Sequence, residues 1–400
     1  MFLLRPTGDE RPDISQFGAI KETYNARVES ARLTDCGGGE PTSDLTCQAL
    51  TIRILAGPDK GTTFTQQTTS VAGTPRLAAG DRIVVGHQEN AEPGFEYTYV
   101  DRQRRMPLFW LAAIFALAVL LLGRFRGLTA LAGFGASFVV LLVFVVPSIL
   151  DGRSPLAVSL FGASAIAFLA LYLSHGFNRK TTIALLGTLG GLGVTAILAY
   201  AFQGMVHITG FASEEARYLQ AVGARVNLTG LLLGGVIIGA LGAIDDITIT
   251  QASAVRELHD ANPSLGSVRL FKSGMRIGRD HVASTVNTLA LAYVGASMPI
   301  LLLFVLSSQS LGTVANGEIV ATEIFRTLVG SIGLIASVPI TTFLAARFAG
   351  VETSSRPRRQ PQRARTRLQP SKPQDQMFIP ERKWDAFLDA LRGRPPSGSP

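Results

Sequence analysis

Apolar residues in the middle of this chain run together instead of alternating with polar ones. Seven such stretches, 107–123, 127–150, 156–174, 180–203, 228–255, 282–307 and 324–348, approach or exceed the ~20 residues a helix needs to cross a bilayer. The pattern predicts a mostly α fold: a polytopic helical membrane bundle of about seven spans. Ahead of the bundle the period shortens. Residues 46–55 alternate in part and are rich in β-branched side chains, as in a half-buried strand. Gly57-Pro58-Asp59-Lys60-Gly61 is a turn, and Ala79-Gly80-Asp81-Arg82-Ile83-Val84-Val85-Gly86 a turn entering another strand. A small antiparallel β barrel is expected within residues 1–105, serving either as a structural cap or as a ligand-binding module.

Beyond the last apolar stretch the composition changes again. Residues 356–367 are basic, proline-bearing and nearly free of apolar side chains, which predicts disorder. Trp384, Phe387, Leu388 and Leu391 then recur at helical spacing behind Pro380, predicting a short amphipathic helix near 381–392. Three domains follow: a soluble β-rich domain over 1–105, a seven-span domain over 106–349 and a basic tail over 350–400.

Composition supports the membrane assignment. Hydrophobic residues make up 47% and charged residues 16%, against about 25% charge in soluble chains, and the mean hydropathy is +0.30. The formal charge of +8 does not mark a nucleic-acid surface. Residues 351–400 hold 11 Lys+Arg against 5 Asp+Glu and so carry most of it. Arginines next to a membrane attract anionic lipid headgroups at about 1 kcal/mol each, so the lipid bilayer is the tail's expected partner and nucleic acid is not.

Basic residues also set an orientation. With the N-terminal domain outside, inner loops hold Arg124, Arg126, Arg179 and Lys180, then Arg256, Arg269, Lys272, Arg276 and Arg279, and finally the tail. The outer side keeps Arg153, Arg217, Arg225 and the opposing cluster Arg102, Arg104 and Arg105. N-out, C-in fits best. The two cysteines, Cys36 and Cys47, both fall in the exported domain, where an oxidising compartment permits a disulfide. Free thiols are the alternative. An exported domain needs a signal peptide or an anchor, and residues 1–10 are too short for either, so a further anchor ahead of residue 1 is expected.

The most informative segment is 228–253, where Asp245 and Asp246 stand inside an apolar run, followed by Thr248, Thr250 and Gln251. A carboxylate at mid-bilayer costs roughly 2.5–3.5 kcal/mol on insertion scales, so intramembrane acids usually face a cavity. The alternative is a helix that ends near Ile244 and leaves both acids at the interface. Adjacent residues diverge by about 100° on a helix, so only one of the pair faces a given neighbour. The sixth stretch adds His281, Ser284, Asn287 and Thr288 along one line, and Tyr293 beyond. That line suits either a cation or polar solute, or hydrogen bonds between helices. Glu323 and Arg326, one turn apart, read as an interfacial ion pair. Gly187, Gly190, Gly191 and Gly193, with Gly230xxxGly234 and Gly235xxxGly239, predict close packing of the aspartate helix on its predecessor. Pro299 and Pro339 are expected to break or kink their helices.

Gly239-Ala-Leu-Gly-Ala-Ile-Asp-Asp246 with its Thr/Gln/Ser sequel, Asn287-Thr-Leu-Ala-Leu-Ala-Tyr-Val-Gly295, and Glu323-Ile-Phe-Arg326 leading to Gly330-Ser-Ile-Gly333 and Val338-Pro-Ile-Thr341 together resemble the YibE/F-like family of bacterial membrane proteins. The likeness runs from about residue 45 to 348. It implies a bacterial plasma-membrane protein of several spans with an extracytoplasmic N-terminal domain, and no particular activity. The arginine-rich tail is of a kind familiar in actinobacterial proteins.

Three function classes meet these residues. A transporter or permease would use Asp245 or Asp246 to bind a cation or carry a proton, with Thr248, Thr250, Gln251, Ser284, Asn287 and Thr288 as neutral ligands for a small solute or ion. A sensor or assembly factor would use the external barrel and the tail. A membrane enzyme fits least. An aspartyl protease needs carboxylates converging from different elements, the five histidines are scattered, and no phosphate-binding glycine loop with a lysine is present. No catalytic residue, metal or cofactor is expected, and a homo-oligomer is a possible assembly.

Overall fold

A computed structural model describes residues 22–34, 45–71, 76–88, 91, 96–221, 223, 226–307 and 309–349. Cys36, the segment 356–367 and the amphipathic segment near 381–392 lie outside these residues.

Five strands come first: β1 (Glu22–Thr34), β2 (Leu45–Ile54), β3 (Thr63–Val71), β4 (Arg82–His87) and β5 (Tyr97–Arg102). They pair antiparallel in the order β3-β2-β1-β4-β5. The two edge strands meet through side chains, without backbone pairing among the described residues. Gln66 on β3 donates to Thr98 Oγ1 (3.0 Å) and accepts from the Tyr99 backbone N–H (2.7 Å) on β5. The sheet therefore curls into a small barrel, filled by Ala26, Val28, Leu50, Ile52, Ile83 and Val85. Tyr24, Phe64, His87 and Tyr97 stack across one end, with His87 and Tyr97 ring centroids 4.8 Å apart. Gly57, at φ 101°, belongs to the turn after β2; a Cβ there would lie 2.6 Å from the Tyr24 ring. Cys47 on β2 is disulfide-bonded.

The helices follow: α1 (Arg105–Val140), continued through a π turn at Leu141–Val145 and α2 (Val146–Leu150); α3 (Pro155–His175); α4 (Arg179–Val206); a short α5 (Glu214–Ala221); α6 (Leu228–Ala261); α7 (Ser267–Ala296); α8 (Met298–Leu306); α9 (Leu311–Asn316); and α10 (Glu318–Phe348). Among the described residues, five helical segments are long and apolar enough to cross a membrane, or six if the bent pair α7–α8 is one span. The count differs from the seven expected because 107–123 and 127–150 belong to one segment, Arg105–Leu150.

That segment is not straight. Arg124 has φ 51° and ψ −127°, outside helical space. Phe115 and Phe134 stand 6.3 Å apart ring to ring, whereas nineteen residues of unbroken helix would separate them by about 28 Å. Gly127 bears on the carbonyl of Val119. The chain reverses at Arg124, and its two arms lie side by side. We refer to the end of the bundle where α1 begins as the near end.

The predicted sixth stretch starts late. Its helix begins at Ser267, and the pair bends by 65° at Ser297, just ahead of Pro299. Pro299 sits in the first turn of α8, where its missing N–H is harmless. Pro339 lies inside α10, which runs through it. Large apolar side chains such as Phe109, Trp110, Leu111, Leu122 and Val305 are exposed along the bundle, as a hydrocarbon surrounding requires.

α4, α6 and α10 form the centre, and glycines set their spacing. A Cβ on Gly191 of α4 would lie 2.8 Å from Ser337 Cβ and 3.2 Å from the Gly333 carbonyl, both on α10, and 3.1 Å from Ile244 on α6. Gly187 meets Thr341, and Gly333 meets Thr195. Gly230 and Gly234 face Pro155 and Ser159 of α3. The close approach expected between α4 and α6 is present, since Gly191 and Gly187 also meet Ile244 and Thr248 of α6, and the same glycines bring α10 equally close to α4 while Gly230 and Gly234 bring α6 onto α3.

Two expectations follow. Gly127→Val should lower thermal stability in detergent by about 1–3 kcal/mol, because its Cβ collides with the preceding arm. Gly135→Val, with nothing nearby, should not. Equal stability of the two would refute the reversal. In the barrel, burial and then the hydrogen bond to Asp59 (2.6 Å) push the Tyr97 hydroxyl above the ordinary tyrosine range. With the folded value raised, this stabilisation is whole below the unfolded pKa of about 10 and is lost as pH rises through the folded value. Ultraviolet titration of the full chain should show a late-ionising tyrosine fraction that shrinks in Tyr97→Phe; an unchanged late fraction would contradict the assignment.

Candidate functional site

α6 is capped by Asn227, whose Oδ1 accepts from the Gly230 N–H at 2.7 Å, and it continues for 34 residues. At 1.5 Å per residue it is about 51 Å long. The helix does not end near Ile244, so Asp245 and Asp246 lie in its middle third. Their divergence is as the helical period requires. Asp245 is half-buried toward α4, and Asp246 is exposed.

Facing Asp245 is Thr188 of α4. Its hydroxyl stands 3.5 Å from Asp245 Oδ1, a long contact, and 2.7 Å from the hydroxyl of Thr248. Thr248 in turn donates to the Asp245 carbonyl at 3.0 Å. Both threonines are fully buried. Three contacts share two hydroxyl hydrogens, so the chain of hydrogen bonds has two directions. With Asp245 ionised, Thr248 donates to Thr188 and Thr188 to the carboxylate. With Asp245 protonated, the carboxyl donates to Thr188, Thr188 to Thr248 and Thr248 to the backbone carbonyl. Either state is accommodated by turning hydroxyls alone.

One turn further on, Gln251 is fully buried where α6, α7 and α10 meet. Its Nε2 donates to the Gly274 carbonyl (2.8 Å) and to Thr342 Oγ1 (2.7 Å). Its Oε1 is buried with no hydrogen-bond partner among the described residues. Gly274 and Gly278 of α7 leave room for this amide; a Cβ on Gly278 would lie 3.1 Å from it. Thr250 is half-buried and donates to the Asp246 carbonyl (2.7 Å), so its hydroxyl is spent on its own helix.

The polar line of α7 is placed elsewhere. Ser284, Asn287 and Thr288 are exposed, and Thr288 donates to the Ser284 carbonyl at 3.0 Å. The structure joins Asp245 to α4 instead of to this line. Tyr293 belongs to a second cluster nearer the start of α10. The Arg326 guanidinium carbon lies 5.8 Å from its ring centroid, and Arg326 pairs with Glu323 at 3.3 Å. The Tyr293 hydroxyl packs against Gly239 of α6 and has no hydrogen-bond partner among the described residues. Tyr293 and Glu323 also border a cavity of about 220 Å³. Among the described residues no group of three or more His, Cys, Asp and Glu side chains is placed to hold a metal ion.

Reading the sequence by segment missed the residues of α4 and α10. Thr181, Thr188 and Thr195 recur every seventh residue on α4 and are all fully buried; Ser337, Thr341 and Thr342 are their counterparts on α10. The seven-residue step of hydroxyls in an otherwise apolar helix was the available signal.

Comparison with curated proteins and with solved structures returned no match. The family model described as YibE/F-like protein matches residues 111–350. That range takes in the helical body from residue 111 onward, with Asp245, Thr188 and the α10 hydroxyls, and leaves out the strands, where the sequence likeness had extended. With more than half of the chain matched, this helical membrane protein belongs to the YibE/F-like family.

Proposed function

We propose that this protein is a permease that moves a small solute or ion, with Asp245 as the group that takes up and releases a proton or cation. The observation that carries the reading is the hydrogen-bonded chain Asp245–Thr188–Thr248 at the meeting of two apolar helices. Its two directions let the carboxyl change protonation without moving a backbone. From this level toward the near end the α4–α6 seam is dry, closed by Leu192, Ala199, Leu233, Val236, Ile237, Ala240 and Ile244. The arrangement corresponds to an occluded state, and transport would require the seam to part. Asp246 is turned outward, so the two carboxylates do not converge as an acid–base pair would, which favours transport over catalysis.

If both arms of Arg105–Leu150 cross the membrane and α7–α8 crosses once, the chain has seven crossings, with the barrel outside and the tail inside a bacterial plasma membrane. The disulfide at Cys47 supports an oxidising space around the barrel. Asp246 and the polar line of α7 sit on the surface of the bundle, where a second copy would shield them from lipid. The basic tail would hold anionic headgroups.

The test is reconstitution into liposomes with a trapped pH dye, screened against cations and small metabolites. Asp245→Asn should lower solute-dependent proton movement by roughly tenfold or more, at unchanged protein abundance. Asp246→Asn and deletion of residues 351–400 should have little effect. Undiminished flux in Asp245→Asn would refute the role of this residue. Loss of function on tail deletion with flux intact would favour the sensor or scaffold reading.

A further inference from the structure

We propose that the junction between the barrel and the first membrane helix holds an anionic phospholipid, its headgroup on exposed arginines and its chain in the cavity beside them. This site rests on the membrane assignment and not on the transport reading.

The barrel wall carries the first observation. Arg27 on β1 stands directly opposite Arg53 on β2 and directly opposite Arg82 on β4. Their neighbours along the strands, Ala26, Val28, Ile52, Ile54 and Ile83, are buried, so by alternation all three arginines stand on the outer face. Like charges directly opposite on neighbouring strands destabilise a sheet. Glu29 offsets Arg53. Arg27 and Arg82 are exposed, and among the described residues their guanidinium groups have no partner.

The row leads to the start of α1. The Gln103 N–H donates to the Arg82 carbonyl at 2.9 Å. Arg105 follows two residues on, exposed and likewise without an ion-pair partner among the described residues. The acids close by are engaged with other arginines: Asp81 pairs with Arg102 at 3.3 Å, and Asp101 with Arg104. Three guanidinium charges, at Arg27, Arg82 and Arg105, are thus left uncompensated. With the barrel outside, they add to the cluster of arginines that already runs against the charge rule.

Arg82 and Arg105 border a cavity of about 540 Å³, within the range of small-molecule sites at about 300–1,000 Å³. Its apolar walls include Leu55 and Ala56 after β2, Ile83 of β4, and Met106 and Phe109 of α1, and no aspartate or glutamate lines it. Of its two amides, Gln103 accepts from the Arg105 N–H (3.2 Å) and donates to the Asn25 oxygen (2.5 Å). Both amide oxygens are spent, so the polar side chains of the rim offer donors. A guanidinium pairs with phosphate through two parallel hydrogen bonds, and apolar walls suit an acyl chain. Met106 and Phe109 are more than half exposed, and Trp110 and Leu111 continue the same surface along α1. The cavity is therefore continuous with the lipid-facing side of the bundle, and its occupant enters from the leaflet on the barrel's side.

The experiment is native mass spectrometry of the purified full chain in uncharged detergent, titrated with phosphatidylglycerol or phosphatidylcholine. Phosphatidylglycerol should bind in preference, and inorganic phosphate, which has no chain, should not displace it. Arg82→Gln and Arg105→Gln should each weaken its tightest binding, and together by roughly tenfold or more, as for loss of charge-assisted pairs. Arg32→Gln, an exposed charge on β1 outside the cavity, should leave binding unchanged. Residues 351–400 are present throughout, so their attraction for anionic lipid is common to all variants. Ala56→Trp should weaken binding by filling the cavity without a change of charge. Arg27→Thr relieves the repulsion across the strands and should raise the melting temperature in phosphatidylcholine, while the further gain from phosphatidylglycerol shrinks. Equal binding of the two lipids, displacement by inorganic phosphate at comparable concentration, or a double variant that binds like Arg32→Gln would overturn the proposal.

Discussion

A carboxylate carried into an apolar helix bundle constrains every helix around it. Asp245 has no cation beside it among its described contacts, so neutral hydroxyls and backbone must meet its needs. Those hydroxyls come from a neighbouring helix at close range, which requires α4 and α6 to be held in register. α10 does the holding. Gly187 and Gly191 let it settle onto α4 through Thr341 and Ser337, while Gly333 receives Thr195 in return. The polar centre and the glycine packing are parts of one arrangement, because hydroxyls 2.7 Å apart leave no room for helices to drift.

The same constraint separates the bundle into zones. Hydroxyls gather at Asp245, where α4 meets α6, and one turn on the Gln251 amide lies where α6, α7 and α10 meet. Between Asp245 and the near end, the α6 side of the seam is lined by buried aliphatic side chains such as Leu233, Val236, Ile237, Ala240 and Ile244. At the near end, side-chain donors return around a cavity of about 880 Å³.

Local rules account for much of this. The strand at 46–55 and the turn at 57–61 follow from β-branched alternation and from glycines that alone tolerate φ near 100°. Arg124 shows the opposite. An arginine in left-handed space is not written in any propensity. It marks a reversal that two apolar stretches separated by three residues signalled only as a gap.

From sequence alone the apolar runs determined that the chain is a helical membrane protein, since hydrocarbon admits backbone only with its hydrogen bonds satisfied within the helix. The family likeness was equally legible, and so was the pair Asp245–Asp246, because charged residues in an apolar run stand out whatever surrounds them; which of the two meets a neighbouring helix was not. The partners of Asp245 were not legible. Thr188 is 57 residues from Asp245, and nothing local distinguishes it from a threonine facing lipid. Helical spacing placed Ser284, Asn287 and Thr288 on one line but could not say which way the line faced, because rotation of a helix about its axis is set by its neighbours. Tertiary packing turned that line outward and chose α4 and α10 as the walls of the site.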